Sequence, residues 1–363
     1  MKTRKKKIKI CVDPQSCAAT GRRVREITNL FRFTDLSGVT KIHRVGKTSN
    51  NAGVYCLTYS KDVGSTTYIA YAVLKTTLDL RSDNLAYEYA IGLYINGLIE
   101  RDFPCFLQTY GLYRYESSEA KGRSRITPLD GLRQIKLNVG ESCDYNDRQA
   151  LLIQYLPHAK LLEEFKFDAA FVRNDLVKIL YQAYAVLAYL AQEFTHYDLH
   201  SGNMMIYEMQ APRQFYYGPV AFTSKFLTKI IDYGRCYGPP STSMKHRACA
   251  ECDVCGRTRG YWFTGDFREA DFHIDAAQPN YSHDLIYLKH LKKDWGAKIK
   301  LVHPALYDVL RRVRHDYTYG TLPRESDGTH VNNVMDAARE LEALLSREEN
   351  PTLETIRVPI QAT

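Results

Sequence analysis

Five polar residues stand where they could do chemistry: Lys75, Glu88, Asp198, Asn203 and Asp232. Asp198 and Asn203 lie in FTHYDLHSGNMMIY, residues 194–207, between a long apolar helical pattern and an apolar strand pattern. The plain reading is a polar turn, because Asp, Asn, Ser and Gly are ordinary turn formers. The sharper reading is a loop holding a general base and a metal ligand. Asp232 opens Asp232-Tyr233-Gly234 at the end of the apolar run Lys229-Ile230-Ile231. A carboxylate just past a buried strand, followed by Gly, can bind a cation at a cleft, since Gly permits a tight turn. Lys75 ends the apolar strand YAVLK, and Glu88 sits inside LAYEYAIGLYING with apolar or aromatic neighbours on both sides. A carboxylate so placed needs a cation, and Lys75 is the nearest candidate in the order of elements. A strand-end surface lysine and a solvated helix face are the plain readings of this pair.

A second cluster is His246-x2-Cys249-x2-Cys252-x2-Cys255, with Cys236 and His273 as further candidates. Thiolate and imidazole at short spacing suit tetrahedral zinc. Structural zinc sites normally draw on two separated knuckles, so a reduced, partly buried cysteine cluster and a redox sensor stand beside the zinc reading.

The elements that must position these groups are legible as patterns. From Lys41 the chain reads as strands: KIHRV, GVYCLTY and TTYIAYAVLKTT alternate and are rich in β-branched and aromatic residues. Asp83 and Asn84 are placed to cap a helix over roughly 85–98. PCFLQTYGLYRY gives one or two strands, and ALLIQYLP gives a buried strand ending at Pro157. Residues 116–149 are polar and irregular and read as an insertion or long loop. Val177, Leu180, Tyr181, Tyr184, Leu187, Ala188, Ala191 and Phe194 then mark one apolar face of a long helix. MMIY and TKIID read as two short strands, SHDLIYLKHLKKD as a buried helix, and helical patterns continue to about Arg347. Strands in the first half and helices in the second predict an α+β layout with a cleft between two lobes. The expected divisions are a basic extension over 1–40, a strand-rich part over 41–156, a helical part over 157–347 containing the Cys/His-rich 236–275, and a tail over 348–363.

The chain has 363 residues, 45% hydrophobic and 25% charged, close to the soluble globular average and enough for a sizeable core. It lacks an apolar run of about 18 residues, so no transmembrane helix is expected. MKTRKKKIKICVD is basic but has neither an apolar run nor a small-residue cleavage site, so it is not read as a secretory signal. Nine cysteines then suggest a reducing compartment. Much of the +8 net charge lies in the first 25 residues. That segment reads as a solvated tail, or else as an arm for nuclear targeting or nucleic-acid contact. The rest is nearly balanced, so no dedicated nucleic-acid protein is inferred.

Taken together, Lys, Glu, Asp-x4-Asn and Asp-x-Gly in this order resemble the protein kinase superfamily over roughly 41–300. AVLK is similar to its VAIK, Glu88 to its helix glutamate, HYDLHSGN to HRDLxxxN and DYG to DFG. LAYEYAIGLYIN, FPCFLQTYGLY and HYDLHSGNMMIY are similar to the kinase-like proteins of giant DNA viruses. The resemblance implies a two-lobed fold, a small antiparallel lobe with one helix and a larger helical lobe, with ATP and magnesium in the cleft. It implies that Lys75, held by Glu88, contacts the α- and β-phosphates, and that Asn203 and Asp232 hold magnesium. Asp198 would be the base, His196 a brace for the loop, and Asp284 the buried aspartate that ties down the loop backbone. Gly46, Gly53 and Val54 match parts of the glycine-rich loop, although its middle glycine is missing. Adenine would sit against Gln154, Tyr155 and Leu156. The implied activity is phosphoryl transfer to Ser or Thr of a protein substrate, by a monomer in the host cytoplasm, with virion and nucleus as alternatives.

Three departures bear on function. Tyr197 stands where the family has arginine, His200 stands where protein kinases carry Lys or Arg, and no APE motif follows DYG. The DLHxGN form also resembles small-molecule kinases of the aminoglycoside or choline type. That substrate class and a catalytically silent scaffold are the two competing expectations.

Overall fold

The computed structural model describes residues 29–31, 33, 36–45, 52–77, 85–115, 129–136, 149–240, 259–261, 273–275, 278–314, 328–346 and 348–360. Within these, the chain is a mixed α/β protein with a large antiparallel sheet and several helices. The sheet is built from β1 (Val39–Arg44), β2 (Ala52–Val63), β3 (Thr66–Thr77), β4 (Thr109–Tyr115), β5 (Leu132–Ile135) and β6 (Gln149–Gln154), in the order β1-β2-β3-β6-β4-β5. The β2–β3 hairpin turns over Gly64-Ser65, with Gly64 at φ 64°, the left-handed geometry that tight hairpins need.

Helix α1 (Leu85–Glu100) covers one face of this sheet through Leu85 and Ala86 against Leu112 and Leu151. The other face carries Leu57, Tyr59, Ala72, Leu74 and Leu152, closed over by Phe33. Phe33 stacks on Tyr110 at 4.2 Å and meets Tyr59 edge-on at 4.9 Å. The end of the stretch expected to be an extension is therefore part of the sheet's core. Likewise β5 lies inside the stretch expected to be irregular and pairs Leu112 with Ile135. Asp83 and Asn84, expected to cap α1, fall outside the described residues.

One glycine sets how closely α1 approaches the sheet. A Cβ on Gly92 would lie 2.1 Å from Thr109 Oγ1 and 2.7 Å from Thr109 Cβ. Gly92→Ala must push the helix away from β4. It should destabilise the fold by about 1–3 kcal/mol, the usual range for overpacking. Because α1 carries Glu88, the same variant should weaken any function that needs Glu88 in place. Thermal melts beside an activity assay check both, and an unchanged melting temperature would contradict the close approach.

The second half is not purely helical. It contains β7 (Lys160–Leu161), α2 (Ala169–Asn174), α3 (Leu176–Tyr189), β8 (Met204–Tyr217) and β9 (Val220–Ile230). A small pair follows, β10 (Arg259–Tyr261) with β11 (His273–Asp275), then α4 (Ile286–Val302), α5 (Pro304–Arg312), α6 (Val334–Ala343) and β12 (Thr355–Val358). Helix α3 ends at Tyr189, short of the expected Phe194, yet Leu190, Ala191 and Phe194 stay buried in the turn that follows. Its buried Gln182 accepts the Thr228 N–H at 2.9 Å and donates to the Phe226 carbonyl at 3.0 Å, fastening α3 to β9. The two strands expected to be short are 14 and 11 residues long and form one hairpin with a bulged register between Glu208 and Arg213. The expected tail supplies β12, which pairs parallel to β8, Thr355 opposite Gln214. The main core runs through α3, the hairpin, α4 to α6 and the connecting segment Phe103–Leu107. No helix among the described residues is long and apolar enough to cross a membrane.

Candidate active site

Lys75 lies near the end of β3, between Val54 on β2 and Leu151 on β6. Its Nζ donates to Glu88 Oε2 at 2.8 Å and to Asp232 Oδ1 at 3.1 Å. Glu88, in the first turn of α1, is 5% exposed at its side chain, whereas Asp232 is 43% exposed. One ammonium thus links the sheet, the helix and the segment after β9.

The partial desolvation of Asp232 alone would raise its carboxyl. The Lys75 ammonium overrides this and holds it below the usual carboxylate range, with Arg235 adding to the effect. Its backbone is left-handed, φ 68°, and so is that of Tyr197, φ 61°. Non-glycine residues adopt this conformation seldom, and such positions cluster at functional sites.

The loop carrying Asp198 is fixed from below. Buried Asp284, in the 3-10 turn His283–Leu285, accepts the His196 N–H at 2.8 Å and the Tyr197 N–H at 3.0 Å, one on each carboxylate oxygen. Burial pushes Asp284 up to about 7 against the pull of these two donors. His196 is fully buried. Its Nδ1 accepts the Asp198 N–H at 3.2 Å and its Nε2 faces the Ile231 carbonyl at 2.9 Å. These partners require the neutral tautomer with the proton on Nε2, and burial holds the ring down at about 4. His196 therefore ties the Asp198 loop to the residue before Asp232.

Asn203 completes the loop. Its Nδ2 donates to the Asp198 carbonyl at 2.9 Å, and its own carbonyl accepts the Ile231 N–H at 3.1 Å. Asp198, 15% exposed at its side chain, is pushed up to about 7, first by burial and then by Asp232 and Asp284. Arg235 and Lys75 oppose this rise. His200 Nε2 lies 3.8 Å from Asp198 Oδ1, but burial lowers His200, so it is neutral near pH 7.

Lys75, Glu88, Asp198, Asn203 and Asp232 thus share one connected cluster. Gly53 and Val54 run beside it on β2, opposite Thr76 and Lys75, and the Val45 N–H bonds the Val54 carbonyl at 2.9 Å. Gln154 ends β6, paired with Gln108 through its backbone N–H at 2.8 Å and its side chain at 3.1 Å, with Tyr155 and buried Leu156 following. Gly46, His246, Cys249, Cys252 and Cys255 lie outside the described residues. Among the described residues no group of three or more His, Cys, Asp or Glu could hold a metal ion. Cys236 is buried, and burial raises its thiol well above the ordinary range.

Two features gave little local signal in sequence. Arg235 places its Nε 3.6 Å from Asp198 Oδ2. Tyr233 is buried, its hydroxyl accepting the Leu107 N–H at 2.8 Å and facing the Ile230 carbonyl at 2.9 Å, which locks the segment after Asp232 onto the main core. Tyr233 stands out in sequence only as the middle of DYG and Arg235 not at all, and what each touches shows only in the fold.

No family model and no curated protein matches the chain. The solved structures it matches include WaaP in complex with acyl carrier protein, at TM-score 0.29 and 11% identity, over 79% of this chain and 94% of that one.

Proposed function

We propose that the chain is an ATP-dependent phosphotransferase with a two-lobed, protein-kinase-like arrangement, acting on Ser or Thr hydroxyls of a protein. The observation that carries the reading is the Lys75 ammonium held between Glu88 and Asp232, with Asp198 on a braced loop beside them. Phosphoryl transfer needs positioning and neutralisation of charge more than covalent chemistry. In this reading Lys75, aimed by Glu88, meets the α- and β-phosphates, and adenine lies against Gln154–Leu156. Gly53 and Val54 bring backbone close to the phosphates.

Asp232 and the side-chain carbonyl of Asn203 suit magnesium, a hard cation that takes one or two protein oxygens and fills its shell with water and phosphate oxygens. Asp232 stays ionised, and Asn203 is oriented by donating its Nδ2 to Asp198, which leaves Oδ1 as the acceptor on the same amide. When bound, magnesium would neutralise charge on the β- and γ-phosphates. Asp198 orients the acceptor hydroxyl and takes its proton. Its carboxyl, raised to about 7, is well matched to a base working near neutrality.

The test is γ-labelled ATP with magnesium, generic protein acceptors and a panel of hydroxylated small molecules. Label should enter protein. The kcat/KM profile should show an acid limb near pH 7, because Asp198 acts only when deprotonated and is protonated below that value. Label confined to small molecules would move the acceptor to the aminoglycoside or choline class. No transfer to any acceptor, with no stabilisation by nucleotide, would sink the reading.

A further inference from the structure

Arg235 supplies a charge for which the proposed roles leave a place. Lys75 is engaged by Glu88 and Asp232. The cation beside Asp198 is Arg235, with Nε 3.6 Å from Oδ2 and 26% of its side chain exposed. Its backbone is anchored on both sides. The Cys236 N–H closes a turn onto the Tyr233 carbonyl at 3.2 Å, and Tyr237 pairs with Thr195, its N–H 2.8 Å from the Thr195 carbonyl. The Tyr87 hydroxyl donates to the Cys236 carbonyl at 2.5 Å. The backbone that carries Arg235 is thus fixed relative to the Asp198 loop.

Distance limits what that guanidinium can serve. A hydroxyl activated by Asp198 lies within roughly 3 Å of the carboxylate. The phosphorus it attacks lies about 3–3.5 Å further on. A planar fork that starts 3.6 Å from Oδ2 spans this gap and matches two phosphoryl oxygens at once.

We propose that Arg235 is a catalytic residue that turns from Asp198 to the γ-phosphoryl oxygens as nucleotide and acceptor enter. It thereby provides a positive charge in cis. The inference rests on the phosphotransfer reading above. In the step, the bond from the acceptor oxygen to γ-phosphorus forms, and the bond from γ-phosphorus to the bridging oxygen breaks. ADP departs with that electron pair and the hydroxyl proton passes to Asp198. Arg235 stays protonated throughout.

The experiment compares wild type with Arg235→Gln, Arg235→Lys and Arg235→Ala. Arg235→Gln should lower kcat about 10³-fold with little change in acceptor KM. Arg235→Lys, which keeps charge but loses the fork, should recover only part of it. Free guanidinium should restore the Ala variant at least about tenfold and leave wild type unaffected, a rescue that a merely structural residue does not give. Calorimetry with ADP and a non-hydrolysable ATP analogue, both with magnesium, reads the γ-phosphate contact without turnover. Wild type should bind the analogue more tightly than ADP, and Arg235→Gln should lose that preference. If the preference persists in the variants and kcat stays within about threefold, the proposal is overturned while phosphotransfer stands. If wild type binds neither nucleotide, the phosphotransfer reading fails and this inference falls with it.

Discussion

Asp232→Asn is expected to lower phosphoryl transfer by about 10³-fold or more while leaving the protein folded. The substitution is chosen for the backbone. Asp232 sits at φ 68°, a conformation that Asn tolerates nearly as well as Asp and that Ala does not. The loss then reports charge and not strain. Asn keeps the shape but cannot balance the ammonium of Lys75, 3.1 Å away, and cannot hold a hard cation as a carboxylate does. A charge contribution of several kcal/mol, at about 1.4 kcal/mol per factor of ten, gives the quoted loss. Label transfer and a thermal melt on the same preparation check it. A variant that keeps a tenth or more of the wild-type rate would remove Asp232 from the machinery.

Asp284→Ala should be the most damaging change that touches neither nucleotide nor acceptor. The carboxylate is buried, and both its oxygens accept backbone N–H groups, from His196 and Tyr197. Ala leaves two buried donors without partners, at about 1–3 kcal/mol each. The melting temperature should fall by roughly 5–15 °C. Activity should fall further than stability alone explains, because Tyr197 holds a left-handed conformation that only its surroundings maintain. Assays well below the variant's melting point, where it is folded, separate the two effects. Wild-type activity there would show that the loop keeps its shape without Asp284.

These residues were readable in sequence because each breaks a local pattern. Glu88 is a carboxylate in an apolar helix, and Lys75 and Asp232 close apolar strands. Such breaks are visible within a window of a few residues. Arg235 breaks nothing, and its position follows only from the turn that Tyr233 and Cys236 bury. The same limit governs the fold. β2, β3 and β6 alternate or run apolar and announce themselves, whereas β5 and β12 are four residues each and exist through pairing with distant strands. Strand propensity depends on what the strand packs against, so short edge strands carry little signal of their own. The length of β8 and β9 was hidden by the bulge between Glu208 and Arg213, where Gln210, Ala211 and Pro212 interrupt the alternation. Phe33 was hidden by its basic neighbourhood in the chain.

The strand that leaves the Asp198 loop has a consequence for synthesis. β8 begins at Met204, directly after Asn203, yet its outer half is matched by β12, and Gln214 accepts the N–H of Asn350 from 136 positions away. Contacts so distant in sequence form late, since loop closure must precede the gain from pairing. A ribosome-bound chain that has already emitted every residue of the candidate site would still present the bare edge of β8. Until β12 arrives, that edge is open to strands of other chains, and a stalled or shortened product is the species most prone to aggregate.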